Sequence, residues 1–279
     1  MSALEIPCPL FDLEKTLGSG QVFHWTKLEQ RFQGVIHREP VEIEQIGDHL
    51  RIHRGDPETI CHYFSLDHPL EEIARSFPAD LPLAAATDFC RGLRLIRQPR
   101  WECIATFITS ALKQVPHIRQ ISLDLRRRHG EQVGPEVFAY PTAATLAGVG
   151  ESILRESRLG FRAKNLAAAA RFIAEGRIDL DSIGSLPTGE LERELCRLPG
   201  VGPKVARCVL LFAYERLDAF PIDVWIERVL RERYFPRRRN ITALRLRAFT
   251  ASYFGPYAGY AQQYLFHHAR LTMGRRVAS

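Results

Sequence analysis

The chain has 279 residues, 46% hydrophobic and 25% charged, the composition of a globular protein long enough for one large domain or two smaller ones. Its net charge of +6 suits an anionic partner. No apolar run approaches the roughly 18 residues of a membrane helix, and no basic start with an apolar run marks a signal peptide, so no membrane partner is expected. The six cysteines are scattered with no C-x-x-C pair, which argues against a zinc ribbon or iron–sulfur cluster and for thiols in a reducing compartment.

Residues 20–55 read as an antiparallel meander. Val22-Phe-His-Trp25, Arg31 to Ile36, Val41 to Ile46 and Leu50 to His53 alternate or are rich in β-formers, with turn signals such as Gly47-Asp48 between them. Gly18-Ser-Gly20 is a loop into the first of these strands. Helices dominate from Pro57, beginning with Ile60 to Phe64 and Leu70 to Ala74. Pro78, Pro82 and the Ala-rich stretch after them mark a domain boundary near residue 88. The expected fold class is therefore α+β: an N-terminal antiparallel β-sheet domain with flanking helices (1–88), followed by a mostly α-helical domain (89–279).

In the second domain a helix runs through Phe107, Ile108 and Leu112, breaks at Pro116, and resumes through Ile118, Ile121 and Leu125. Arg126-Arg-Arg-His-Gly130 closes it, a basic end that complements the helix dipole more readily than it contacts DNA. Thr142 is a candidate N-cap. Two helices follow around Gly160. Phe161-Arg162 is either a helix start with one core aromatic or an aromatic and a cation offered to a ligand. Arg237-Arg-Arg239 is a loop open to phosphate contact or to solvation alone. The last helix, Tyr257 to Leu271, sets Gln262 and Phe266 at i and i+4 on one face, a polar group beside an aromatic platform.

The most informative stretch is Leu198-Pro-Gly-Val-Gly-Pro-Lys204, followed by Ala219-Phe-Pro-Ile-Asp223. Leu191, Leu195 and Leu198 form one helical face before it, and Val205, Cys208, Val209 and Phe212 form another after it. Gly200 and Gly202 allow a tight turn with exposed N–H groups at a helix start, a natural phosphate site. Lys204 in that first turn opposes the helix dipole by about 0.3–1 kcal/mol, too little alone to free the amine at neutral pH, so burial must supply the rest. A lysine so treated is a nucleophile for Schiff-base chemistry. It is one of only five lysines in a chain that otherwise uses arginine, and arginine cannot lose its proton. The plain alternative is a solvated lysine near a turn. Asp223 suits an N-cap for the helix through Val224 to Leu230, a role compatible with facing a developing positive charge.

These motifs resemble the helix-hairpin-helix, Gly/Pro-rich loop, Asp superfamily of DNA glycosylases, and within it the 8-oxoguanine DNA glycosylase family. The resemblance runs in order from about residue 10 to about residue 270 through Gly18-Ser-Gly-Gln-Val-Phe-His-Trp25, Arg97-Gln-Pro-Arg-Trp-Glu-Cys-Ile104, Leu159-Gly-Phe-Arg-Ala-Lys164, the hairpin, and Gly259-Tyr-Ala-Gln-Gln-Tyr-Leu-Phe266. It implies that Lys204 attacks C1′ of the damaged nucleotide and that Asp223 stabilises the charged sugar. It implies that the carbonyl of Gly20 reads N7–H of the flipped base, Gln262 its Watson–Crick edge, and Cys208 and Phe266 its faces. Phe161 and Arg162 would enter the opened duplex as wedge and base reader.

The chain departs from the family where the opposite base is read. The family's Asn run is replaced by Ser110-Ala-Leu-Lys-Gln114, so Lys113 and Gln114 stand there as DNA contacts. One of the two cytosine-reading arginines falls at His117, and Trp225 replaces a phosphate-contacting histidine. The expectation is a bifunctional glycosylase and AP lyase acting on damaged double-stranded DNA. It would be a monomer without cofactor or metal, in the cytoplasm or nucleoid of a bacterium or the nucleus of a eukaryote. The alternatives are an alkyl-purine glycosylase on the same scaffold and a non-catalytic DNA-binding module.

Overall fold

The structure, a computed structural model, describes residues 4–111, 113–237 and 240–273. Leu112, Arg238 and Arg239, named above, lie outside the described residues.

The first lobe opens with strand β1 (Leu4–Pro7) and helix α1 (Leu13–Gly18), followed by β2 (Thr26–Leu28), β3 (Arg31–Ile36), β4 (Glu39–Ile46) and β5 (His49–Arg54). These strands form one five-stranded antiparallel sheet in the order β1-β5-β4-β3-β2. The meander was legible, but its first strand was not: β1 pairs with β5, with Leu4 opposite Ile52, a partner far away in sequence. Residues 22–25 are not a strand. Val22, Phe23 and Trp25 are buried in an irregular segment, and pairing begins at Thr26. Gly34 in β3 makes room for this, since a Cβ there would fall 2.4 Å from the Trp25 ring.

Helices α2 (Pro57–Tyr63), α3 (Leu70–Arg75), α4 (Leu81–Phe89), α5 (Arg100–Thr109), α6 (Val115–His129), α7 (Ala143–Val149), α8 (Glu151–Leu154) and α9 (Arg162–Ala174) follow. A short hairpin, β6 (Gln132–Gly134) and β7 (Val137–Phe138), sits between α6 and α7. Then come α10 (Thr188–Leu195), α11 (Pro203–Ala213), α12 (Val224–Val229), α13 (Ala243–Tyr253) and α14 (Ala258–Thr272). The sequence sets many of these starts directly. Asp12, Asp56, Asp80, Thr142, Asp223 and Thr242 each accept the N–H three residues on. Prolines occupy the first turns of α2, α4, α6 and α11. The Ala-rich stretch after Pro82 is thus a capped helix, α4.

Two large apolar cores result, beside a small cluster of Val35, Val137 and Ala139. One lies under the sheet and contains Phe11, Trp25, Ile43, Leu50, Ile60 and Phe64; the larger fills the helical lobe. They interleave in sequence, because Leu70, Ile73, Leu83 and Ala86 join the helical core while Ile96 returns to the sheet core.

A buried polar cluster joins the lobes. His24 donates through Nε2 to the Val35 carbonyl at 2.8 Å, and its Nδ1 lies 3.4 Å from Glu102 of α5. Glu102 also accepts from Arg126 of α6, which donates to the Phe138 carbonyl at 3.2 Å. Burial holds His24 well below its ordinary value and raises Glu102, with Arg126 opposing the latter. Removing one member of a buried pair strands the other, which costs about 3–5 kcal/mol. Glu102→Ala should therefore lose stability of that order in urea denaturation, whereas Glu71→Ala, at an exposed pair with Arg75, should change it by less than about 1 kcal/mol.

Candidate active site

The helix, Gly-rich turn and helix read from the sequence are present as α10, residues 196–202 and α11. Val201 N–H bonds back to the Leu198 carbonyl at 3.0 Å, closing the turn. Gly200 has φ +83°, and a Cβ there would lie 2.7 Å from Asn165 of α9, so glycine is required on two counts. Gly202 is the exposed N-cap of α11. The N–H groups of Gly200 and Gly202 have no hydrogen-bond partner among the described residues. They are free to bind an anion.

Lys204 follows in the first turn of α11 and is half-buried. Its Nζ lies 5.4 Å from the centroid of the Phe107 ring, which stacks nearly parallel on Phe212 at 5.7 Å. A cleft of about 210 Å³ opens beside Lys204, walled by Arg207, Ile222, Glu227 and Leu246. No carboxylate forms an ion pair with Lys204 among the described residues.

Asp223 caps α12, accepting from Ile226 N at 2.8 Å. Burial raises its carboxyl above the ordinary value of 3.8, against the Ile226 N–H and then the positive charge of Lys204. One turn beyond Lys204, burial pushes the Cys208 thiol up to about 11, with Lys204 lowering it and Asp223 raising it. That thiol is neutral at physiological pH, a contact surface and not a nucleophile. Lys204, Cys208 and Asp223 therefore share one electrostatic neighbourhood.

The second half of the site comes from the loop after α1 and from α14. Three carbonyls of this loop are taken by side chains: Gly18 by Arg270 at 2.6 Å, Ser19 by Gln263 at 3.2 Å, and Gln21 by Gln98 at 2.9 Å. The Gln21 amide in turn bonds the Arg94 carbonyl and Ile96 N–H, both at 2.9 Å. Only the Gly20 carbonyl in this run has no partner among the described residues. Gly20 has φ +88°, and a Cβ on it would fall 3.2 Å from the Phe266 ring, so the loop passes close beside the ring. One turn earlier on α14, Gln262 is 5% exposed and its Oε1 has no hydrogen-bond partner. An unpartnered backbone acceptor and an unpartnered amide thus lie beside a half-buried aromatic ring.

α14 packs on α12, and its Gly259 abuts Leu211 of α11 so closely that a Cβ would be 2.2 Å from the Leu211 side chain. These contacts bring α14 up to the helices that carry Lys204 and Asp223. The remaining expected residues sit apart. Gln114 is the exposed N-cap of α6 and Lys113 is half-buried beside it. Phe161 is 57% exposed at the start of α9. Arg162 is turned inward: it is 5% exposed, donates to the Ala111 carbonyl at 2.6 Å through Nε and to Leu159 at 3.3 Å, and lies 4.2 Å from the Phe161 ring centroid. Phe107, Gln98, Gln263 and Arg270 carried no local signal, because each acts on a segment distant in sequence.

A family model of the 8-oxoguanine DNA glycosylase N-terminal domain matches residues 3–104. The chain is 30% identical to a probable N-glycosylase/DNA lyase of Methanothermobacter thermautotrophicus, over 96% of each chain. This protein belongs to the 8-oxoguanine DNA glycosylase family. Among solved structures, MBOgg1 in complex with a low-affinity DNA ligand is 31% identical, with a TM-score of 0.93 over 99% of this chain and 97% of that one. The Clostridium acetobutylicum 8-oxoguanine glycosylase/lyase, in complex with duplex DNA carrying cytosine opposite 8-oxoguanine, is 30% identical, with a TM-score of 0.89 over 96% of this chain and 95% of that one.

The raised carboxyl of Asp223 fixes the sign of a stability effect. The folded state holds that proton more tightly than the unfolded state, so stability falls as pH rises from 3.8 through the raised value and is level above it. Asp223→Asn keeps a cap and removes the charge. Its stability advantage over wild type should grow across that window and then stay constant, as read by denaturation from pH 3.5 to about 7.

Proposed function

We propose that this glycosylase/lyase removes 8-oxoguanine from double-stranded DNA in base excision repair, as a monomer, through a Schiff base on Lys204. It works where the DNA lies, nucleoid or nucleus. The observation that carries this reading is the unpartnered Gly20 carbonyl on a loop that passes so close to Phe266 that a Cβ on Gly20 would lie 3.2 Å from the ring. Guanine presents a lone pair at N7, and its 8-oxo form presents N7–H. A backbone carbonyl can only accept, so it welcomes the lesion and repels the normal base. Gln262, with donor and acceptor both available, reads the Watson–Crick edge, and Phe266 and Cys208 supply the faces.

The nucleotide must first leave the stack, at a cost of a few kcal/mol. Free N–H groups of the Gly200–Gly202 turn hold a strand phosphate while the base enters the slot. The Lys204 amine attacks C1′, and the glycosidic electron pair departs with the base. Asp223 stabilises positive charge on the sugar. Loss of the amine proton and opening of the ring give the Schiff base, from which β-elimination cuts the strand on the 3′ side. Phe161, exposed at the start of α9, fills the vacated stack, and Lys113 and Gln114 contact the DNA. Arg162 supports this surface through Ala111.

Single-turnover excision tests the assignment. Wild type should release 8-oxoguanine from a duplex with cytosine opposite and leave guanine untouched. Asp223→Asn should slow release by about 10²–10³-fold, the usual effect of removing one electrostatic stabiliser. Lys204→Gln should abolish strand cutting. Release of 3-methyladenine in preference to 8-oxoguanine would contradict the reading.

A further inference from the structure

Arg270 is a cation with no assigned task. It lies one helical turn past Phe266 on α14, so the two share a face. Nη2 donates to the Gly18 carbonyl at 2.6 Å and meets His267 Nδ1 at 3.2 Å. The guanidinium carbon is 5.8 Å from the centroid of the Phe266 ring. No carboxylate pairs with it among the described residues, and Nε is buried without a partner. Burial lowers His267 to about 4, so its ring is neutral and Nδ1 can accept. With no counter-charge to satisfy, what this arginine supplies is geometry.

We propose that Arg270 is the positioning residue of the lesion slot. It grips the loop through the Gly18 carbonyl and braces the Phe266 ring, fixing the distance between the Gly20 carbonyl and the stacking surface. It touches neither base nor sugar. A hypothetical Cβ on Gly20 would lie 3.2 Å from the Phe266 ring, so only glycine lets the loop pass this close, and small shifts of the loop change what the slot admits. Gln263 holds Ser19 independently, so the loop stays folded without Arg270 but loses its register against the ring.

This inference rests on the function proposed above, and two duplexes separate the two. One carries 8-oxoguanine opposite cytosine and reports single-turnover release. The other carries a tetrahydrofuran abasic analogue, has no base to place, and reports binding. Arg270→Met keeps the stem and removes the fork. It should slow release at least about tenfold, the effect of one charged hydrogen bond, while binding the abasic duplex within about twofold of wild type. Arg270→Lys, which retains a donor, should recover most of the lost rate. Unchanged release, or equal losses on both duplexes, overturns the role of Arg270. Failure of wild type to release 8-oxoguanine overturns the functional reading itself and this inference with it.

Discussion

The site depends on how one irregular loop is held. Residues 18–21 leave α1 for the sheet without joining any strand, so their carbonyls need other partners. Arg270, Gln263 and Gln98 supply them. Gln21, Gln98 and Gln263 are all buried, and buried amides are rarely left unbonded. Each can be satisfied only if the loop sits in one place. The Gly20 carbonyl and the Gln262 amide are left over. An unmade buried hydrogen bond costs about 1–3 kcal/mol, a cost that a base with matching groups would recover under the proposed function.

The chemistry on the facing helices follows a similar economy of parts. Asp223 starts α12, and under the proposed mechanism the same cap also carries the charge beside the sugar. Its position at a helix N-terminus favours the carboxylate, while burial opposes it. Lys204 starts α11 from the Gly-rich turn and rests near an aromatic face, which positions a flexible side chain without an ion pair that would compete with the substrate. The two residues come from separate helices, and α14 packs on α12 and touches α11 through Gly259 and Leu211.

Local patterns were readable in the chain. The hairpin depends on Gly200, whose positive φ only glycine takes readily, and on Pro203 in the first turn of α11, whereas Gly202 is extended backbone that needs no glycine; Asp223 and Thr142 cap helices as their positions imply. Nonlocal features were not. β1 is a strand because β5 is beside it. Val22 to Trp25 has β-forming side chains, but burial under Gly34 and the needs of the Gln21 network override that propensity. The resemblance implies a base-reading role for Arg162, and its guanidinium bonds the Ala111 carbonyl, a contact that no local pattern marked. Lys204, Cys208 and Asp223 share one electrostatic neighbourhood, and Gly20 lies close to Phe266 on α14. The residues that hold them in register became visible only in three dimensions.

The central claim is a covalent bond between the Lys204 amine and deoxyribose, and it is tested most directly by mass spectrometry of the borohydride-reduced complex with lesion DNA. The account predicts a single adduct whose proteolytic fragment maps to Lys204. An adduct on another amine, or strand cutting with no adduct at all, would contradict it.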